Sequence, residues 1–142
     1  PFDDAGQENG CMWMVPGSHK WGNQIEFLRK HGQLRTRDEF KNIKNFNPPE
    51  QAETCSVEPI AWPVKRGEVS FHHSLTWHGS PLNQSTQPRR AIAIHYMTGQ
   101  ARFDANGEHI MKQFVDLPDA APMAEAGKHF PIVCQNGIPV SL

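Results

Sequence analysis

Paired cysteine is missing from this chain. Its three cysteines, Cys11, Cys55 and Cys134, are an odd number, lie far apart and form no CxxC step. That argues against a disulfide framework or a structural zinc knuckle, and it fits a reducing cytoplasm. An excess of one charge is missing too. The 14 Lys and Arg stand against 15 Asp and Glu, a formal net charge of −1, so no general attraction to nucleic acid or to an anionic membrane is implied. No apolar run approaches the length of a membrane span, and no signal peptide is visible. Internal repeats and low-complexity segments are absent. Pro1 stands where an initiator methionine would, and turn and strand signals begin within a few residues. The expectation is therefore the C-terminal part of a longer protein. The 142 residues allow one domain with a real core, spanning 1–142, but not two.

What the chain does have is punctuation. Twelve prolines and eleven glycines cut it into short pieces, which disfavours long helices and points to an all-β or β-rich fold. Cys11 to Val15 (CMWMV) reads as a buried strand ended by the turn Pro16-Gly17-Ser18. Asn23 to His31 has helical character and stops at Gly32, a plausible C-cap. Thr36 to Phe46 suggests a second short helix, with Thr36 as N-cap and Glu39 completing a capping box. Val57 to Trp62 and Glu68 to His72 read as strands around a Pro63 to Gly67 turn. From Gly99 onward the sequence is irregular.

Arg89 to Thr98 is the clearest strand pattern. Arg89, Ala91, Ala93, His95 and Met97 fall on one face, and Arg90, Ile92, Ile94 and Tyr96 on the other. Small side chains beside Arg89 suggest a lumen that leaves room for a ligand. A tight sheet contact at Ala91 and Ala93 would give the same pattern.

The chemistry-bearing residues cluster just before that strand. His72, His73 and His78 lie within seven residues. On a continuous strand His72 and His78 share a face and His73 points away, so at most two of them reach one metal. A lone histidine on a strand is more often a packed core residue than a ligand. His78 stands out because Gly79-Ser80 follows it and Arg89 lies eleven positions on. A neutral imidazole ligates Fe(II), Zn(II) or Cu, and a guanidinium is the bidentate partner of a carboxylate. On neighbouring antiparallel strands the two would point at one spot, as an iron enzyme with a keto-acid co-substrate requires.

Two segments, ENGCMWMVPGSHK (Glu8 to Lys20) and HGSPLNQSTQPRRAIAIHYM (His78 to Met97), resemble the phytanoyl-CoA dioxygenase family over about the first 100 residues. The resemblance implies a double-stranded β-helix, a cupin-like jelly roll, of which this chain would be the C-terminal portion with one or two short helices in an insert. It implies an Fe(II)/2-oxoglutarate-dependent dioxygenase that hydroxylates a small molecule with O2 while 2-oxoglutarate becomes succinate and CO2. Carried over residue by residue, His78 matches the distal histidine of the metal-binding His-x-Asp…His set. Arg89 matches the arginine that pairs with the far carboxylate of 2-oxoglutarate, and Ser80 a serine that can donate to the same carboxylate. Asn83 matches a turn asparagine, read as holding its loop. His19 also matches, and reads as a loop-fixing residue.

One departure is serious: no histidine here is followed two residues later by a carboxylate. In the family that step lies upstream of the first segment, before Pro1, so these residues are half of an active site. Two alternatives stay open, a non-catalytic jelly-roll binding module and a halogenase variant in which a halide replaces the missing carboxylate. A zinc or copper site at His72, His73 and His78 lacks a convincing fourth ligand. The Asn23 to Pro59 insert is the expected lid, and its first half is rich in Lys and Arg. That could favour an acidic or CoA-linked substrate, although such runs are usually solvated faces.

Overall fold

A computed structural model describes residues 1–31, 37–42 and 57–141. The chain divides into two compact units, Pro1–Ala93 and Ile94–Leu142.

The first unit is built on the most apolar short run of the sequence. Strand β1 (Met12–Met14) lies at the centre of a three-stranded antiparallel sheet. It is flanked by β2 (Ile60–Trp62) and by β3 (His78–Gly79). Met12 pairs with Trp62 and Met14 with Ile60 on one side. On the other, Trp13 faces Gly79 and Met14 faces His78. A central strand is covered from both sides, which is why an uninterrupted apolar pentapeptide fits there. Cys11, Trp13, Met14 and Val15 are all buried.

Two small cores hold the sheet. Ala5, Cys11 and Trp13 pack with Ala61. Val15, Trp21 and Trp77 pack with Phe27, Leu28 and Val57. Trp21 meets Trp77 edge to face at 5.1 Å between ring centroids, and Phe27 stacks on Trp77 at 5.3 Å. Each such pair contributes about 0.5–1.5 kcal/mol beyond the area it buries. The turn after β1 is fixed from inside. Gly17 takes a φ of 81°, and the fully buried Ser18 hydroxyl donates to the Val15 carbonyl (2.7 Å) while accepting from the Trp77 amide (2.8 Å). Ser18 also opens a 3-10 helix, Ser18–Trp21.

Two short helices follow. Helix α1 (Ile25–His31) starts where the Ile25 amide donates to Asn23 Oδ1 at 3.1 Å, and its Phe27 and Leu28 face the core. Helix α2 (Arg37–Lys41) matches the first part of the second expected helix. Thr36, the expected C-cap Gly32 and residues 43–56 lie outside the described residues. The turn before Gly67 forms as the sequence suggested: the Lys65 amide donates to Glu68 Oε2 (2.7 Å), and Gly67 has a φ of 84°.

Two expected strands differ. Glu68 to His72 and Arg89 to Thr98 carry no ladder among the described residues, and 91–98 is exposed. The one backbone bond from this second segment to the first unit's start runs from the Phe2 amide to the Arg90 carbonyl, 2.8 Å. Side-chain alternation sets which face a residue takes, but a strand also needs a neighbour to complete its hydrogen bonds, and among the described residues this stretch is assigned to no ladder. The described architecture is β-containing with few helices.

The second unit is irregular, as expected from Gly99 onward, but not throughout. It carries 3-10 turns at Ile110–Phe114, Met123–Glu125 and Gly127–His129. It also carries a hairpin of β4 (Cys134–Gln135) and β5 (Ile138–Pro139). Asn136 and Gly137, with φ of 51° and 79°, make the tight turn that an Asn-Gly pair favours. No helix among the described residues is long and apolar enough to cross a membrane.

Candidate metal and carboxylate site

The two motif segments are joined at close quarters. Gly10 has a φ of 80°, and a Cβ placed on it would fall 2.5 Å from the Pro81 carbonyl oxygen. Only glycine lets the ENG turn approach the segment after His78 so tightly. The Gln84 amide donates to the Glu8 carbonyl at 3.1 Å. The Asn9 side chain donates to the carbonyls of Asp4 (2.7 Å) and Pro88 (3.3 Å), and its Oδ1 accepts from the Gly6 amide. Asn9 thus fixes the residue just before Arg89.

His78 begins β3, exposed at the sheet edge, across from Met14. Its Nδ1 lies 2.7 Å from the Thr76 carbonyl. A carbonyl only accepts, so Nδ1 carries the proton of this bond and, in the neutral ring, Nε2 keeps its lone pair. A metal-ligating histidine is typically oriented in this way. His73 is set up oppositely: its Nδ1 accepts from the Leu75 amide at 3.1 Å, so its proton sits on Nε2. The local hydrogen bonds therefore give His78 and His73 opposite tautomers, with the lone pair on Nε2 in His78 and on Nδ1 in His73. The ring of His73 lies 5.5 Å from that of His19, and the ring of His72 lies 4.5 Å from that of His78.

Ser80 and Arg89 are half-buried. Arg90 is committed elsewhere, to a two-pronged pair with Asp3, and this guanidinium pulls the Asp3 carboxyl down to about 2. Arg89 is thereby bracketed by two anchors, Pro88 on Asn9 and Arg90 on Asp3. Asn83 holds its loop as the sequence suggested: it donates to the Gln87 carbonyl (2.6 Å) and accepts from the Ser85 amide (2.8 Å) and hydroxyl (2.9 Å). An open cleft of about 580 Å³ runs along Phe2, Asp3, Asp4, Asn9 and Arg66, and none of His78, Ser80 or Arg89 lines it.

Sequence reasoning missed Asp3 as the partner of Arg90 and Asn9 as the anchor of Pro88. Neither has a local signal, since both bonds span about eighty positions.

A family model for phytanoyl-CoA dioxygenase matches residues 1–91, a span that contains Glu8 to Lys20 and His78 to Arg90. The chain belongs to the phytanoyl-CoA dioxygenase family. It is similar to a protein of Stutzerimonas stutzeri named "Probable alpha-ketoglutarate-dependent hypophosphite dioxygenase", 34% identical over 100 residues, which are 70% of this chain and 32% of that protein. It is similar to mouse (Mus musculus) phytanoyl-CoA dioxygenase domain-containing protein 1, 33% identical over 68% of this chain and 31% of the relative. A methylphosphonate hydroxylase of Gimesia maris is 32% identical over 66% of this chain and 30% of its own length. The chain thus spans about a third of the length of the curated relatives it matches. No solved structure matches.

The donor set fits the family's iron site in one position. Among the described residues no three His, Cys, Asp or Glu side chains come together as a metal set; the bond from His78 Nδ1 to the Thr76 carbonyl leaves Nε2 available for one position of such a set.

Proposed function

We propose that this chain is the part of a 2-oxoglutarate-dependent dioxygenase that supplies the distal metal ligand and the co-substrate's carboxylate partner. His78 would hold Fe(II) through Nε2, Arg89 would form the bidentate pair with the far carboxylate of 2-oxoglutarate, and Ser80 would donate to the same carboxylate. The observation that carries this reading is the His78 Nδ1 to Thr76 carbonyl bond, together with membership of the family. With O2, the iron and 2-oxoglutarate supply an oxidation that releases succinate and CO2 and hydroxylates a small-molecule substrate.

The remaining ligands, a histidine and a carboxylate two residues apart, come in this reading from the other two-thirds of the full-length protein. So does the strand that would complete Arg89 to Thr98 into a jelly-roll sheet. The relatives are named for substrates as different as hypophosphite and methylphosphonate, so the family does not fix the substrate here.

The test is turnover in the full-length protein. His78→Ala abolishes 2-oxoglutarate-dependent succinate release while far-UV circular dichroism stays unchanged. Succinate at the wild-type rate from that variant contradicts the role given to His78.

A further inference from the structure

His78 is exposed, and the strand that carries it is only two residues long. Such an imidazole has few neighbours to fix its torsions, yet a metal ligand needs its ring held within narrow limits. The Thr76 carbonyl restrains one edge at Nδ1. A single hydrogen bond still leaves the ring free to swing about that contact.

The second restraint is the ring of His72. The chain reverses between His73 and Thr76, where the Thr76 amide donates to the His73 carbonyl at 2.9 Å. The reversal lays the His72 ring beside that of His78, with centroids 4.5 Å apart and planes inclined at 56°. That separation is within the range of aromatic packing. The turn itself is stiffened by the Leu75 amide donating to His73 Nδ1, so His72 is held against His78 by local structure. In the sequence the six-residue step places the two on one face of a continuous strand. The structure brings them together by a turn instead.

We propose that His72 is a positioning residue for His78: packed ring on ring, it holds the imidazole so that Nε2 faces the metal, while Thr76 fixes the proton on Nδ1. This rests on the reading of His78 as a metal ligand. His72 itself does not bind the metal. Its contribution is made by the tilted packing of its ring against that of His78, so another flat ring serves in its place. Partners that orient a ligating histidine typically change metal affinity by about 10- to 100-fold when removed, and a packing partner belongs at the lower end.

Co(II) binding to the full-length protein, followed anaerobically by its visible absorption, separates the possibilities without turnover. His72→Ala is expected to raise the Co(II) dissociation constant about tenfold, with the same band positions at saturation because the ligand set is unchanged. His72→Phe is expected to restore affinity close to wild type. Unchanged affinity in His72→Ala overturns the proposal, and so does a Phe variant as weak as the Ala one. A shifted spectrum at saturation also overturns it, because it makes His72 a ligand. If His72→Ala does not fold, His72→Leu replaces it: it keeps apolar bulk without a flat ring, and wild-type affinity there overturns the proposal. His78→Ala tells the two readings apart. Loss of tight Co(II) binding in that variant, beside an unaffected His72→Ala, defeats only the role of His72. Retention of tight binding in His78→Ala defeats the ligand reading beneath it.

Discussion

Asp3 and Arg90, 87 positions apart, are joined by a two-pronged ion pair: Arg90 Nε donates to Asp3 Oδ2 at 3.0 Å and Nη2 to Oδ1 at 2.8 Å. The Arg90 amide adds a third bond to Oδ2 at 2.8 Å. This relationship distinguishes two adjacent arginines that composition cannot tell apart. Arg90 is engaged in holding the start of the chain, and the proposal above gives the co-substrate's carboxylate to Arg89.

The two arginines should therefore respond differently. Arg89→Leu in the full-length enzyme should raise the KM for 2-oxoglutarate by about 30-fold or more, since losing one side of a desolvated charge pair costs roughly 2–5 kcal/mol. Arg90→Leu should leave that KM near wild type and lower the urea midpoint of unfolding. Steady-state kinetics with varied 2-oxoglutarate check the first, equilibrium unfolding the second. A silent Arg89 beside a sensitive Arg90 would reverse the assignment.

The same pair predicts a pH dependence. Hydrogen bonds from Arg90, reinforced by its charge, lower the Asp3 carboxyl from 3.8 to about 2 in the folded chain. A group whose folded value is depressed stabilises the fold above its unfolded value, and that stabilisation is lost as the pH falls through the folded one. The stability difference between wild type and Asp3→Asn should be constant from neutral pH down to about 4 and should shrink between about 4 and 2. Urea titrations at pH 7, 4, 3 and 2 measure it. A difference that grows with acid contradicts the pairing.

Gly10 is the joint between the motif segments. A Cβ there meets the Pro81 carbonyl at 2.5 Å, and the φ of 80° is one that L side chains rarely adopt. The left-handed conformation alone costs a non-glycine residue about 1–2 kcal/mol, and the contact with a backbone oxygen adds to it. Gly10→Ala should lower the melting temperature by more than Gly17→Ala, where the φ is similar and no atom lies within 4 Å. Calorimetry of the two variants decides. Equal losses would mean that the close approach carries no energy.

Much of the local structure around the candidate site was legible in the sequence, and the reason is that its signals are local. The buried CMWMV strand, the Pro16-Gly17-Ser18 turn, the Asn83 loop and the start of α1 each depend on residues within a few positions. The His78-Gly79-Ser80 step and Arg89 stood out through a family pattern of fixed spacing. Arg89 to Thr98 shows where local signals stop. Its alternation put Arg89 and Arg90 on opposite faces, yet it could not supply the neighbour a ladder requires. The long-range anchors, Asp3 to Arg90 and Asn9 to Pro88, were illegible because each pairs ordinary polar residues across most of the first unit. The Asn136-Gly137 hairpin was legible and was passed over inside a proline-rich tail. Tautomers lie a step beyond any sequence: they follow from the atom that faces Nδ1, the Leu75 amide for His73 and the Thr76 carbonyl for His78.

The central claim is that His78 Nε2 is a metal ligand, and one measurement bears on it most directly. Full-length protein saturated with 2-oxoglutarate is titrated with Fe(II) under argon, and the visible absorption of the iron–keto-acid chelate is followed. Wild type should give a stoichiometric band, and His78→Ala should give none at the same concentrations. A band of wild-type strength and affinity in His78→Ala would contradict the claim.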